Sequence, residues 1–350
     1  MSVGSVSSST LSSILQNTVT RLQSQMSTVS TESSTGLLAD IGQTLGANAG
    51  QDISMHRQMA DLSALSSSNA LVSAQLDTAS NALTSLQSSA QSVLSKLIEA
   101  GSLSSGSTGA STLQQTATAA LGAFTSTMNS EVAGQYVFGG INSGVAPISD
   151  YASGGAAQTA VDNAFEATFG MSIASSSVNT ISGSAMTSFL TNQFAALFTG
   201  SSWTSSWSSA SDTAQTSRIG VNQTVTTSVT ANQSGFQDMA RALTMVSAFG
   251  GLNLSKDAYS ALLSQAQSAI TSANNGLIET GAAVGTMQNQ VTQADSAITL
   301  QKNVLTTRID SEETVNSYDV ATQVSNLSTQ LQTAYSLTAQ IAKLSLVKFL

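Results

Sequence analysis

Apolar residues recur at every seventh position in the stretch after residue 55. Leu62, Asn69, Leu76, Leu83, Ala90 and Leu97 form one series, and Leu65, Val72, Ala79, Leu86, Val93 and Ala100 form a second, three positions later. Together they write about six heptads of an a/d seam and predict one continuous helix from Met55 to Ala100. Asn69 is the polar residue in that seam, a device that can fix the register of paired helices. Gly101 and the Ser/Gly run after it predict the stop.

The two ends repeat the theme. Leu15, Val19, Leu22, Met26 and Val29 are spaced alternately four and three apart, and so are Val320, Val324, Leu327, Leu331, Ala334, Thr338 and Ile341. A further run, Met287, Val291, Ala294 and Ile298, continues to Leu305. A single amphipathic helix has no core of its own, so these stripes need partners. The economical arrangement pairs the N-terminal helices antiparallel with the C-terminal ones. The terminal stripes are thin, and short isolated helices are marginal in water. They are therefore expected to order only when subunits pack together, and their apolar positions are the candidate assembly interface.

Between the arms the pattern changes. Residues 134–147, GQYVFGGINSGVAP, mix β-forming residues with glycines and the sole proline, Pro147. They predict an exit from helix into extended chain and turns. Short β-like stretches are expected at Glu166–Phe169 and Ser172–Ala174. Met186, Phe189, Leu190, Phe194, Leu197 and Phe198 fall on one helical face, residues 218–232 alternate like strands, and helices follow at Gln237–Phe249 and Ala258–Leu277. The fold class is thus mainly α: long paired N- and C-terminal helices in a coiled-coil or bundle, with a small inserted α/β middle domain. The expected division is 1–40 plus 310–350 as a terminal coiled-coil segment, 41–140 plus 235–309 as a helical rod, and 141–234 as an outward-facing middle domain.

Composition narrows the function. Only 8% of residues are charged, where roughly 25% is usual. Ser, Thr, Gln and Asn keep the surface wet without strong like-charge repulsion between copies. The net charge of −9 and the scattered ten basic residues argue against nucleic-acid binding. The chain has no cysteine, which excludes disulfides, thiolate metal sites and cysteine nucleophiles. No run approaches the ~20 apolar residues of a membrane helix. The opening MSVGSVSSSTLSSIL has no basic stretch and no apolar h-region, so a cleaved secretory signal is not expected. The single histidine, His56, reads as a surface residue, and Glu312 and Glu313 read as a solvated face rather than a matched pair. No Ser/His/Asp set, phosphate loop or metal-ligand spacing stands out. The expectation is a non-enzyme with no cofactor and no metal. Trp203 and Trp207, four apart in a Ser-rich stretch, are expected to anchor the middle domain. A secreted surface protein that stacks glycans on them is the alternative from another class.

These residues resemble the flagellin superfamily, and most closely its hook–filament junction branch. Gln135-Tyr136-Val137-Phe138-Gly139-Gly140-Ile141-Asn142 is similar to the family's exit from the long helix. The ending TQLQTAYSLTAQIAKLSLVKFL, with Ser345-Leu346 and Phe349-Leu350, resembles that of the junction members. Residues 31–58 resemble the stretch joining the terminal helix to the long one, but lack the Arg-Ile-Asn element and paired acids of flagellins proper, having Leu37-Leu38-Ala39-Asp40 instead. The resemblance implies a structural junction subunit between hook and filament, exported by the flagellar type III apparatus with an export chaperone. It also implies a homo-oligomeric ring contacting a hook-associated neighbour and flagellin on an extracellular flagellum. Leu346, Phe349 and Leu350 join the interface on this ground. A filament flagellin is the alternative within the family.

Overall fold

The computed structural model describes residues 8–102 and 107–347. The chain divides into two compact units, one formed by 1–63 with 299–350 and the other by 64–298.

In the first unit, helix α1 (Ser8–Thr35) lies against α10 (Ser317–Val347). Neither has helix-breaking proline, and much of their polarity is turned back on the helix itself. Thr18, Thr28 and Thr329 each donate a hydroxyl hydrogen bond to the carbonyl four residues earlier, a local bond open to short hydroxyl side chains. After α1 the chain turns at Gly36, whose φ of 72° favours glycine. The short α2 (Ile41–Leu45) follows, with Asp40 as N-cap accepting from the Gln43 N–H at 2.8 Å. The linkers after α1 and before α10 are bonded together: Leu38 N–H donates to the Glu313 carbonyl at 2.8 Å and Val315 N–H to the Gly36 carbonyl at 3.0 Å.

Helix α3 (Ala49–Ser102) opens in the first unit and continues into the second, and α9 (Lys256–Glu313) returns. The predicted heptad series is buried from Leu62 to Leu97, with Leu76, Leu83, Ala90 and Leu97 almost fully enclosed. The runs expected at Ala258–Leu277 and Met287–Leu305 are parts of one helix, α9.

The core of the second unit is built by α3, α9, α4 (Ser107–Met128) and α8 (Ser234–Phe249). Leu113, Ala117, Leu121, Phe124 and Met128 of α4 share a buried cluster with Phe236, Met239, Ala240, Leu243, Val246 and Phe249 of α8. Where α8 meets α9, Gly235 and Gly276 touch backbone to backbone: a methyl group added at Gly276 would lie 2.6 Å from the Gly235 Cα. The two glycines permit this crossing because neither carries a side chain to hold the helices apart.

The middle of the chain packs into the same cluster. It contains a two-residue hairpin, β1 (Glu131–Val132) with β2 (Gln135–Tyr136), then α5 (Ala156–Phe169), α6 (Gly183–Phe189), a π turn at Leu190–Phe194, a 3₁₀ turn at Ala195–Phe198, and α7 (Gly200–Ser206). A second antiparallel hairpin pairs β3 (Thr216–Gly220) with β4 (Gln223–Thr226). The β-like reading of Glu166–Phe169 is corrected: this segment is the last turn of α5. The helical spacing of Ala157, Val161 and Phe165 puts all three in the core, and Gly170 in the left-handed region ends the helix. Asn69 does not bridge two helices either. Its side-chain amide donates to the Ile219 carbonyl of β3 at 2.9 Å, tying the long helix to the hairpin.

Trp203 and Trp207 are buried and stacked, with ring centroids 6.0 Å apart. Trp203 Nε1 donates to Asn232 Oδ1 at 2.8 Å, and Ser208 donates to the same oxygen at 2.6 Å. The Asn232 amide in turn donates to the Ala210 carbonyl at 3.0 Å and to Asp212 at 2.7 Å. Both indoles are core anchors and present no open face to a sugar.

Candidate assembly interface

The terminal pair is where the candidate residues fall. Leu22, Leu331 and Ala334 form its small buried cluster, with Val19, Met26 and Leu327 packed against it and partly exposed. Val29 and Val320 are also buried, nearer the linkers. Leu15, Val324 and Ile341 are half-buried. Gln23 donates a side-chain hydrogen bond across the pair to the Tyr335 hydroxyl at 2.7 Å. The helices run antiparallel, the economical arrangement expected of a chain that leaves and returns. Gly36 meets Val315 at one end, and Leu15 and Leu337 line one groove farther along. Leu346 falls in the last turn of α10, and Phe349 and Leu350 lie outside the described residues.

This seam is narrow for helices of this length. Much apolar surface stays uncovered, including Ile14 at 54% and Leu337 at 44% exposure, with Leu11 and Tyr335 also exposed. An open groove of about 520 Å³ runs between the two helices, lined by Leu15, Leu22, Ala334 and Leu337 among uncharged Thr, Asn and Gln side chains. An apolar groove without charge favours another helix with an apolar stripe.

At the linker end of the same unit, three ionisable groups meet. His56 Nε2 lies 2.8 Å from Glu313 Oε1 and 3.9 Å from Asp52 Oδ1. The hydrogen bond to Glu313 is the main cause that raises the His56 pKa above its ordinary value; desolvation opposes it, and the charges of Glu313 and then Asp52 add to the rise. His56 is at the surface, as its sequence reading has it, but it is not isolated. Asp52 is one helical turn before it, and Glu313 arrives from the far end of α9.

The glycine pair of the exit motif also has a structural cause. Gly140 has φ of 61°, and an added Cβ would meet the Thr213 carbonyl oxygen at 2.6 Å. Gly139 and Gly140 use their backbones to hold the segment before β3: Ser211 N–H donates to the Gly139 carbonyl at 3.0 Å, and Gln215 donates to that of Gly140 at 3.0 Å.

Residues 6–143 match the model of the bacterial flagellin N-terminal helical region, and residues 267–350 that of the bacterial flagellin C-terminal helical region. Together these matches cover more than half of the chain, which belongs to the bacterial flagellin family. It is accordingly a structural component of the bacterial flagellum, of a family that assembles into flagellar polymers outside the cell. Among solved structures, a protein of Vibrio parahaemolyticus described as a candidate flagellar hook-associated protein shares the fold. Its TM-score is 0.54 at 10% identity, over 77% of this chain and 99% of that one. No curated protein matches the chain. Among the described residues, no helix is long and apolar enough to cross a membrane.

Proposed function

We propose that this chain is a junction subunit between hook and filament, assembled through its terminal helices into a ring, without enzymatic activity. The observation that carries the reading is the half-covered seam of α1 and α10. Its buried cluster is small, its groove is open and uncharged, and its exposed apolar residues fit the same stripe on a second copy of this chain. The division into terminal segments 1–40 and 310–350, a rod of 41–140 and 235–309, and a middle domain of 141–234 belongs to this proposal, with the terminal segments making the subunit contacts.

Junction rather than filament is supported by two features. The linker Leu37-Leu38-Ala39-Asp40 departs from the pattern of flagellins proper, and the similar fold from Vibrio parahaemolyticus is described as hook-associated. One face of the ring then accepts a hook-associated neighbour and the other accepts flagellin. Export proceeds through the flagellar type III apparatus, with a chaperone covering the terminal stripes until assembly. The test is electron microscopy of cells lacking the protein, with an assay for flagellin in the medium. Bare hooks with flagellin released outside are expected. Normal or merely shortened filaments would withdraw the junction role and leave a filament subunit as the better reading.

A further inference from the structure

We propose that Asp52, His56 and Glu313 form a binding site for a divalent transition-metal ion, with Zn²⁺ as the fitting occupant. The site is independent of whether the subunit serves junction or filament.

Asp52 and His56 stand four residues apart on α3, so their side chains share one face of the helix. Glu313 is the last residue of α9 and closes the site from another part of the chain. The three potential ligand atoms all lie within 4.8 Å of one another. A tetrahedral ion with ligands at about 2.0–2.1 Å needs ligand atoms roughly 3.3–3.4 Å apart. The His56–Glu313 separation of 2.8 Å and the His56–Asp52 separation of 3.9 Å bracket that spacing. Small rotamer adjustments bring both to it.

A second observation points to a cation. The Asp52 side chain is only 3% exposed, and its Oδ1 has no hydrogen-bond partner. A buried carboxylate oxygen without a donor is costly. A protonated His56 does not resolve this, because its bond goes to Glu313 and leaves Asp52 at 3.9 Å, beyond hydrogen-bond reach. Glu312, the residue before Glu313, also carries a buried oxygen without a partner. An ion placed among the three ligand atoms would satisfy the Asp52 oxygen and neutralise two carboxylates at once. One imidazole nitrogen with two carboxylate oxygens suits Zn²⁺, whereas Mg²⁺ and Ca²⁺ prefer all-oxygen shells. Three protein ligands leave a fourth position for water. Bound there, the ion clips the start of α3 to the end of α9 within the first unit.

The chain offers a clean test, since it has one histidine and no cysteine. Any site that uses imidazole must be this one. The full chain, free of any histidine tag and stripped with a chelator, is titrated with Zn²⁺ while the imidazole resonances of His56 are followed by NMR. A saturable shift at one equivalent is expected, with Mg²⁺ at the same concentration producing none. His56→Gln should abolish the stoichiometric binding measured by calorimetry. Asp52→Asn and Glu313→Gln should weaken it at least ~10-fold, and Asp61→Asn, an exposed acid on the same helix, should leave it unchanged. No movement of the wild-type His56 resonances at roughly 1 mM Zn²⁺, a millimolar Kd being only about −4 kcal/mol, would overturn the proposal. So would one-equivalent binding that survives in His56→Gln. The wild-type spectrum decides without relying on the folding of any variant.

Discussion

Replacing Leu331 by aspartate puts a charge into the centre of the terminal seam. Leu331 is one of three residues in the buried cluster of α1 and α10, beside Leu22 and Ala334. A buried leucine contributes about 1.5–3 kcal/mol, so this one side chain carries a large share of what the seam gains from burial. The carboxylate adds a desolvation cost on top. A loss of about 2–3 kcal/mol weakens the pairing by roughly 30- to 150-fold, at about 1.4 kcal/mol per factor of ten. The core of the second unit contains neither partner, so it should be untouched. Both tryptophans lie in that core, and their fluorescence reports on it alone. The assay is sedimentation of the purified chain at increasing concentration in sulfate, a salt that strengthens apolar burial. Leu331→Asp should stay in the supernatant at concentrations where wild type pellets, with unchanged tryptophan emission. Gln332→Asp, on the exposed side of α10, is the control and should pellet. Pelleting of Leu331→Asp alongside wild type would refute the assignment of the seam to assembly. Loss of helical circular dichroism across the whole chain would refute its independence from the inner bundle.

In the free chain, backbone amides of residues 10–30 should exchange with solvent much faster than those of α8, because local opening follows the small number of buried apolar contacts; protection equal to that of α8 would show a self-sufficient terminal pair. Gly276→Ala forces α9 away from Gly235 and should destabilise the second unit by about 1–3 kcal/mol, read as a lower midpoint in urea monitored by tryptophan fluorescence. An unchanged midpoint would mean that the crossing yields at no cost. Asn232→Ala removes an acceptor shared by Trp203 and Ser208, leaving buried donors unpaired at about 1–3 kcal/mol. It should red-shift the tryptophan emission as well as lower the midpoint.

How much of this was legible in the sequence depends on how each feature is encoded. The long seam from Leu62 to Leu97 was readable because a helix buried along one side must repeat its apolar residues near its own period, and the two series repeat the same message heptad after heptad. The short middle elements gave fewer repeats. Glu166–Phe169 looked extended because four residues cannot separate a period of two from one of 3.6. Only the spacing back through Val161 and Ala157 exposes α5. The polar seam residue Asn69 was visible, but its partner was not. A side-chain amide in a heptad predicts a neighbouring helix, whereas the structure supplies a carbonyl from β3.

The features that matter most for the sites have no period at all. Gly235 and Gly276 are ordinary interruptions in helical patterns, and nothing local says that each exists to admit the other. His56 and Glu313 are 257 residues apart, and either reads alone as a solvated polar group. They meet because the linkers after α1 and before α10 are tied together at Leu38–Glu313 and Gly36–Val315. The terminal stripes draw the ends of the chain together, the paired linkers fix the end of α9 beside the start of α3, and that placement makes a lone histidine part of a three-ligand cluster. The same apolar periodicity that was legible as a seam between the terminal helices thus brings together a cluster that was not legible, because a pattern specifies which faces meet and leaves the isolated polar residues to be read only after they have met.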